Sequence, residues 1–332
     1  MAKPQLLVGV NVGMHSMQTM VLREEANGAL RLMGEHRQRR VVKKSDEVHL
    51  VKRVCESIKG AIKDAQVNPD DILTIGIASP GQIDIGKGLI LFSPLFDLQE
   101  LPFPFVEKVQ ECLQYHHVTL MNNDDAYGIG EQRLGMGKGI NDFVYLRVGY
   151  SIGSSIIIDG KLYTGADNLA GVFGHMVVDL NGPQCSCGNK GCLEVLVSRE
   201  AMEEKLYESY LDGKETLLAA ELQKEPLDMN AAIIADAVDQ ADPLTLEIVD
   251  EAADILGVGI ANVINFLNPE RIILGGDVTE EVDLFFEKAV ASAKKHALHA
   301  SRRNVSIVRG KLGTTAGAYG AAVFAKSRLL QM

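Results

Sequence analysis

The stretch GHMVVDLNGPQCSCGNKGCLE, Gly174 to Glu194, gathers three of the chain's five cysteines into eight residues and sets a histidine ten residues ahead of the first. One imidazole and three thiolates, His175, Cys185, Cys187 and Cys192, make up the donor set of a closed, tetrahedral structural zinc site. A redox pair would prefer Cys-x-x-Cys beside a helix start, whereas Cys185 and Cys187 are separated by one residue. Gly188 and Gly191 let the chain fold tightly back to Cys192. The cluster therefore predicts bound Zn²⁺. A second chemical run is VTLMNNDDAYGIGEQRLG, in which Asn122, Asn123, Asp124 and Asp125 stand where a strand runs directly into a helix.

The elements that must position these groups follow from periodicity. QLLVGVNVG is an apolar strand ending at Gly13, and MQTMVLREE and ALRLMGEHR continue it as a meander. Ser45 to Ala65 reads as an amphipathic helix with a cap-like Ser45 and an apolar stripe through Val48, Val51, Val54, Ile58 and Ile62. ILTIGIASPG is a buried strand broken by Pro80-Gly81. The glycine-rich run from Gly135 to Asn141 leads into DFVYLRVGYSIGSSIIIDGKLY, a strand, a turn and a second strand closed by the Asp159-Gly160 hairpin turn. DPLTLEIVDEAADILGVGIANVINFLN is a long helix, RIILGGD a buried strand with a Gly-Gly turn, VSIVRG a further strand, and a last helix starts near Ala316. Both halves open on glycine-ended strands and then add helices. Two related α/β lobes with a ligand cleft between them, outside the carboxyl ends of the strands, are expected. The boundaries expected are 1–122 plus 316–332 for the N-terminal lobe and 123–315 for the C-terminal lobe with the zinc loop.

The bulk properties agree. The 332 residues exceed the usual single-domain size, and 46% apolar with 23% charged residues is a globular composition. A net charge of −11 argues against a nucleic-acid face spread over the whole protein, and the basic run RQRRVVKK, Arg37 to Lys44, reads as a solvated edge. No apolar run is long enough to cross a bilayer, and the start has no signal-peptide anatomy. A cytoplasmic protein with reduced thiols is expected, where clustered cysteines point to metal sooner than to disulfide.

CSCGNKGCLE with GHMVVDLNGPQC resembles the signature of the ROK family, the repressors, open reading frames and sugar kinases of the actin-like ATPase superfold. The resemblance runs through most of the chain. GVNVG is similar to the first phosphate loop, GIASPGQID to the sugar-domain Pro-Gly turn, and NNDDAYGIGE to the catalytic segment. The run from Gly149 through His175 is similar to the second phosphate loop and its hairpin, NFLNPERIILGGDV to the adenosine-side turn, and AGAYGAA to the terminal helix. The resemblance implies a two-lobed, ribonuclease H-like fold. It implies ATP and Mg²⁺ at Gly13, Gly149, Gly153, Gly275 and Gly276, and a sugar held by Asn122, His175 and Glu194. It also implies that His175 binds zinc through one ring nitrogen and a sugar hydroxyl through the other, and that the chain forms homodimers or homotetramers.

Several ligand positions depart from the family pattern. Asp-x-Gly-Gly-Thr-Lys is replaced by Asn11-Val12-Gly13-Met14-His15-Ser16, and Gly-Thr-Gly-Ile-Gly by Gly149-Tyr150-Ser151-Ile152-Gly153. Val172 stands where the family has a sugar-binding Glu, and Leu95 where it has an Asn. Counting back from Glu131 puts Asn123 at the position of the catalytic base, which an amide cannot fill. A second register puts Asp124 there, at the cost of a one-residue deletion in a helix and a rotation of about 100°. Two readings follow. In one, the protein is catalytically impaired and serves as a binding, regulatory or assembly protein that holds ATP poorly. In the other it is an active ATP-dependent hexose or N-acetylhexosamine kinase with Asp124 as base. A repressor would need a DNA-binding domain ahead of the first strand, and only about four residues stand there.

Overall fold

The structure is a computed structural model describing residues 5–13, 16–39, 47–93, 96, 98, 100–224 and 229–330. The chain begins β1 (Leu6–Val12), β2 (Ser16–Glu24), β3 (Leu30–Arg39), α1 (Glu47–Ala65), β4 (Ile72–Ser79), β5 (Gln82–Asp84) and β6 (Leu89–Phe92). It continues with α2 (Phe105–Leu113), β7 (Val118–Asn122), α3 (Asn123–Leu134), β8 (Phe143–Val148), β9 (Ile152–Ile158) and β10 (Lys161–Tyr163). Next come α4 (Glu194–Val197), α5 (Arg199–Leu211), α6 (Ala219–Leu222), α7 (Ala231–Asp239) and α8 (Pro243–Leu267). The chain ends with β11 (Arg271–Gly275), α9 (Asp277–Glu281), α10 (Asp283–His296), β12 (Ser306–Arg309) and α11 (Thr315–Leu329).

The two large sheets repeat one plan. The first runs β3-β2-β1-β4-β7, with β1 antiparallel to β2 and parallel to β4. The second runs β10-β9-β8-β11-β12, with β8 antiparallel to β9 and parallel to β11. In each, the first strand of the half sits at the centre and its carboxyl end opens into a glycine loop. At the hairpin between β9 and β10, Asp159 and Gly160 both take positive φ, as a two-residue turn requires.

Two compact units result, one of residues 1–138, 162–170 and 314–332, the other of 139–161 and 171–313. The first division thus falls at Lys138/Gly139 rather than at 122/123, and the last at Gly313/Thr314. The reason is α3, which packs on α11 through glycines. A Cβ built on Gly320 would lie 1.8 Å from the Ala126 carbonyl oxygen, and one on Gly130 would lie 2.3 Å from that of Ala316. Gly9 and Gly76 make the same close approach from the sheet, at 1.8 Å to Ala318 O and 1.9 Å to Ala321 O. The terminal helix therefore closes one face of the first sheet, as its small-residue sequence suggests.

The opposite face of that sheet buries Val8, Val10, Ile75 and Ile77 against Val54, Ile58 and Phe105. Within α1 the expected stripe is partly rotated: Val48 is 70% exposed, while Leu50, Cys55 and Ala61 are buried beside Val54 and Ile58. Ser45, Met14 and Leu95 lie outside the described residues, as does the Arg40–Lys44 part of the basic run. In the second unit β8 and β11 bury Leu146, Val148, Ile272 and Leu274 against Leu256 and Ile260 of α8 and Phe285 of α10. Among the described residues, no helix is long and apolar enough to cross a membrane.

Candidate active site and metal centre

In the first unit, β1 ends in Asn11 and Gly13. The Gly13 N–H donates to Ser16 O at 2.9 Å. Asn11 is buried on the α11 face of the sheet, where a Cβ on Gly317 would lie 2.7 Å from its side chain. Its Nδ2 donates to the Tyr127 hydroxyl at 2.9 Å, and its Oδ1 has no hydrogen-bond partner among the described residues. The residue at the family's acidic position is thus a neutral amide tied to α3.

The β7–α3 junction is built by Asn122. Its Oδ1 accepts the Asp124 N–H at 2.7 Å, the usual N-cap bond, and its Nδ2 donates to Gly81 O at 2.9 Å. Gly81 has φ +114°, and a Cβ there would sit 2.2 Å from Phe92 O, so the Pro-Gly turn accepts glycine alone. Asn123, Asp124 and Asp125 are all buried in the first turn of α3, where the helix dipole favours carboxylates. Burial, and after it the Asp124 charge, pushes the Asp125 carboxyl up to about 8. Asp125 is a candidate proton carrier that motif matching passed over, although the adjacent Asp124-Asp125 pair was visible in the sequence.

In the second unit, the structure brings Gly149, Gly153, Gly275, Gly276, His175 and Glu194 to one end of the sheet. Glu194 Oε2 accepts the Ile152 N–H at 2.9 Å. Gly276 has φ +95°, and a Cβ on it would lie 2.3 Å from Val148 O. A buried charge network that the sequence reading missed adjoins these loops. The side chain of Arg199, 3% exposed, pairs with Glu203 at 2.6 Å and with Asp277 at 3.1 Å. Its guanidinium lies 5.5 Å from the Tyr150 ring centroid, and the Tyr150 hydroxyl donates to Glu200. The Arg199 to Glu203 spacing on a helix was the readable signal.

His175, Cys185, Cys187 and Cys192 come together with their ligand atoms within 4.8 Å of one another. Cys185 Sγ is 3.5 Å from His175 Nδ1, and Cys187 Sγ is 3.6 Å from Cys192 Sγ. A disulfide needs about 2.0 Å, whereas thiolates around one zinc ion, each at about 2.3 Å, sit about 3.8 Å apart. The donor set and its spacing fit that ion. The Asn189 backbone N–H lowers the Cys187 thiol, whereas burial, and then its two cysteine neighbours, pushes Cys192 up to about 12. A cation among the sulfurs would remove that conflict. The loop is shaped around Gly191, with φ +62° and a Cβ position 1.5 Å from Asp179 O. Hydrogen bonds from Cys185 N to Asn189 O and from Leu193 N to Met176 O hold its two ends. His175 presents Nδ1 to the sulfurs, which leaves Nε2 as its other ligand atom.

Two five-stranded sheets of one plan, a terminal helix returned to the first, and a Cys₃His loop in the second define an actin-like ATPase fold of the hexokinase type. The chain belongs to the ROK family, whose model matches residues 7–328. It is 31% identical over 281 residues to a glucokinase of Thermotoga maritima, covering 84% of this chain and 86% of that protein. It is 30% identical over 286 residues to a xylose repressor of Caldicellulosiruptor bescii, covering 86% and 70%. Among solved structures it resembles a ROK family glucokinase from Streptomyces griseus in complex with glucose and AMPPNP, with TM-score 0.82 and 26% identity over 97% of this chain and 99% of that one.

Proposed function

We propose that this protein is an ATP-dependent hexose kinase. The observation that carries the reading is the near-full-length match to the Thermotoga glucokinase. Of the sugar-side residues of the family pattern, Asn122, His175 and Glu194 are kept, while Val172 and Leu95 depart from it. In this reading Asp124, with Asp125 buried beside it, takes the proton from a sugar hydroxyl. The hydroxyl oxygen then bonds to the γ-phosphorus of ATP, and the bond to ADP breaks. Burial and the Asp124 charge push the neighbouring Asp125 carboxyl up to about 8. Gly13, Gly149, Gly153, Gly275 and Gly276 are assigned to the nucleotide. Mg²⁺ would be carried by the nucleotide's phosphates and neutralise their charge, with the neutral Asn11 amide standing where the family pattern has an acid. Zn²⁺ held by His175, Cys185, Cys187 and Cys192 would neutralise the thiolates and fix the His175 ring for a sugar hydroxyl.

A second reading, sugar binding without phosphoryl transfer, is favoured by Asn123 at the counted base position and by the Asn11–Tyr127 bond. A coupled ADP-release assay over a panel of hexoses and N-acetylhexosamines separates the two. Sugar-dependent release that Asp124→Asn abolishes, with sugar binding retained, supports the kinase. No release above background, with sugar still bound in calorimetry, supports the second.

A further inference from the structure

The backbone N–H groups of a glycine loop bind phosphate when they are free to point at it. In the second unit several of them are occupied by the chain's own oxygens. Gly149 N donates to Ser151 O at 3.1 Å, Gly276 N to Glu280 Oε1 at 3.3 Å, and Val278 N to Asp277 Oδ1 at 3.1 Å. Ile152 N is held by Glu194. Asp277, half-buried, reaches furthest between the two loops: its Oδ1 is 2.8 Å from the position a Cβ on Gly149 would take, and its Oδ2 is paired with Arg199. The Arg199 backbone N–H in turn donates to Gly149 O at 2.8 Å. Arg147 completes the surround, with a guanidinium nitrogen 3.5 Å from the Ser151 hydroxyl. One carboxylate thus sits between two glycine loops and against a buried arginine.

We propose that Asp277 is a specificity-determining residue, a built-in anion at the Gly149–Ser151 and Gly275–Gly276 loops that a polyphosphate must displace from Arg199 in order to bind. The proposal rests on the reading that these loops face the phosphates of a nucleotide. Its consequence is selectivity by charge. The phosphate chain of a nucleotide meets repulsion from Asp277 and competition for Arg199, while an uncharged nucleoside meets neither. Arg199 remains paired with Glu203 when Asp277 is lost, so the network tolerates the change.

Isothermal titration with inorganic pyrophosphate, ADP and adenosine tests this on the full chain as wild type, Asp277→Asn and Asp277→Gly. The first variant keeps the shape without the charge, and the second clears the space beside Gly149. Both are checked by thermal unfolding. The expected result is that both variants bind pyrophosphate and ADP about tenfold more tightly than wild type, the scale of one partly screened charge pair. Adenosine affinity should stay unchanged, and the gain should shrink as salt is raised. Equal or weaker pyrophosphate binding in both variants, with adenosine still bound, overturns the role of Asp277 and leaves the nucleotide reading intact. Failure of all three proteins to bind any of the three probes overturns both.

Discussion

Glu194 Oε2 accepts the Ile152 N–H at 2.9 Å, so the residue that follows the zinc loop also holds the start of β9. Gly174 fits between them, with its Cβ position 2.6 Å from Ile152 O and 3.4 Å from the Glu194 Cβ. The site residue expected to grip a sugar is therefore also a clamp on the second glycine loop. Removing a charged acceptor from a partly buried N–H costs about 1–3 kcal/mol. Glu194→Ala should lower the unfolding free energy by that amount in urea titration. Glu194→Gln, which keeps an acceptor oxygen, should lose less than half as much. Equal losses would mean that the Ile152 bond is not what Glu194 contributes.

Zinc should copurify at one ion per chain and leave with Cys187→Ala. Cys55 is buried on α1 and is not one of the four clustered ligands, so Cys55→Ser should keep the ion. Chelation should lower the thermal midpoint, because binding free energy at such a loop is coupled to its folding. Hydrogen exchange should show residues 182–193 loosening first. Metal content unaffected by Cys187→Ala would refute the assignment.

Gly320 sets two small effects against one large one. Alanine is the better helix former by about 1 kcal/mol, but its Cβ would fall 1.8 Å from the Ala126 carbonyl oxygen. Backbone cannot yield as a flexible side chain does, and overpacking of this kind costs about 1–3 kcal/mol. The clash wins. Gly320→Ala should destabilise the chain, whereas Gly28→Ala, in an exposed turn with open space around it, should cost only the strain of its positive φ.

How much of this was legible depended on distance along the chain. The strands, the Asp159-Gly160 turn, the strand-to-helix run at Asn122 and the cysteine cluster are local patterns, and the structure reproduces them. The compact units divide at Lys138/Gly139, and the meeting of Gly130 and Gly320 that holds α3 to α11 is one that no local period reveals. Val48 has the right spacing for the stripe but lies exposed in the first turn of α1. Asp277 and Arg199 stand 78 positions apart, and only the second sheet brings them together. Asp125 was in plain view, yet its titration depends on burial that a motif does not encode.

That burial leads to a pH dependence. The Asp125 carboxyl titrates near 8 in the folded chain against an ordinary value of 3.8, raised by desolvation and by Asp124 beside it. Between those values the folded state holds a proton that the unfolded state has released, so stability falls as pH rises from about 4 towards 8. The loss is complete once the pH passes the folded value and absent below the unfolded one. Asp125→Asn removes the titration while keeping the shape. It should match wild type near pH 3.5 and exceed it at pH 8 by at least about 1.4 kcal/mol, the equivalent of a single pKa unit. Denaturant titrations at the two pH values measure the difference. If turnover depends on the Asp125 proton, it should rise with pH through an apparent pKa near 8. A profile flat from pH 6 to 9, together with equal stabilities of Asp125→Asn and wild type at pH 8, would show that Asp125 is charged throughout and carries no proton for the reaction.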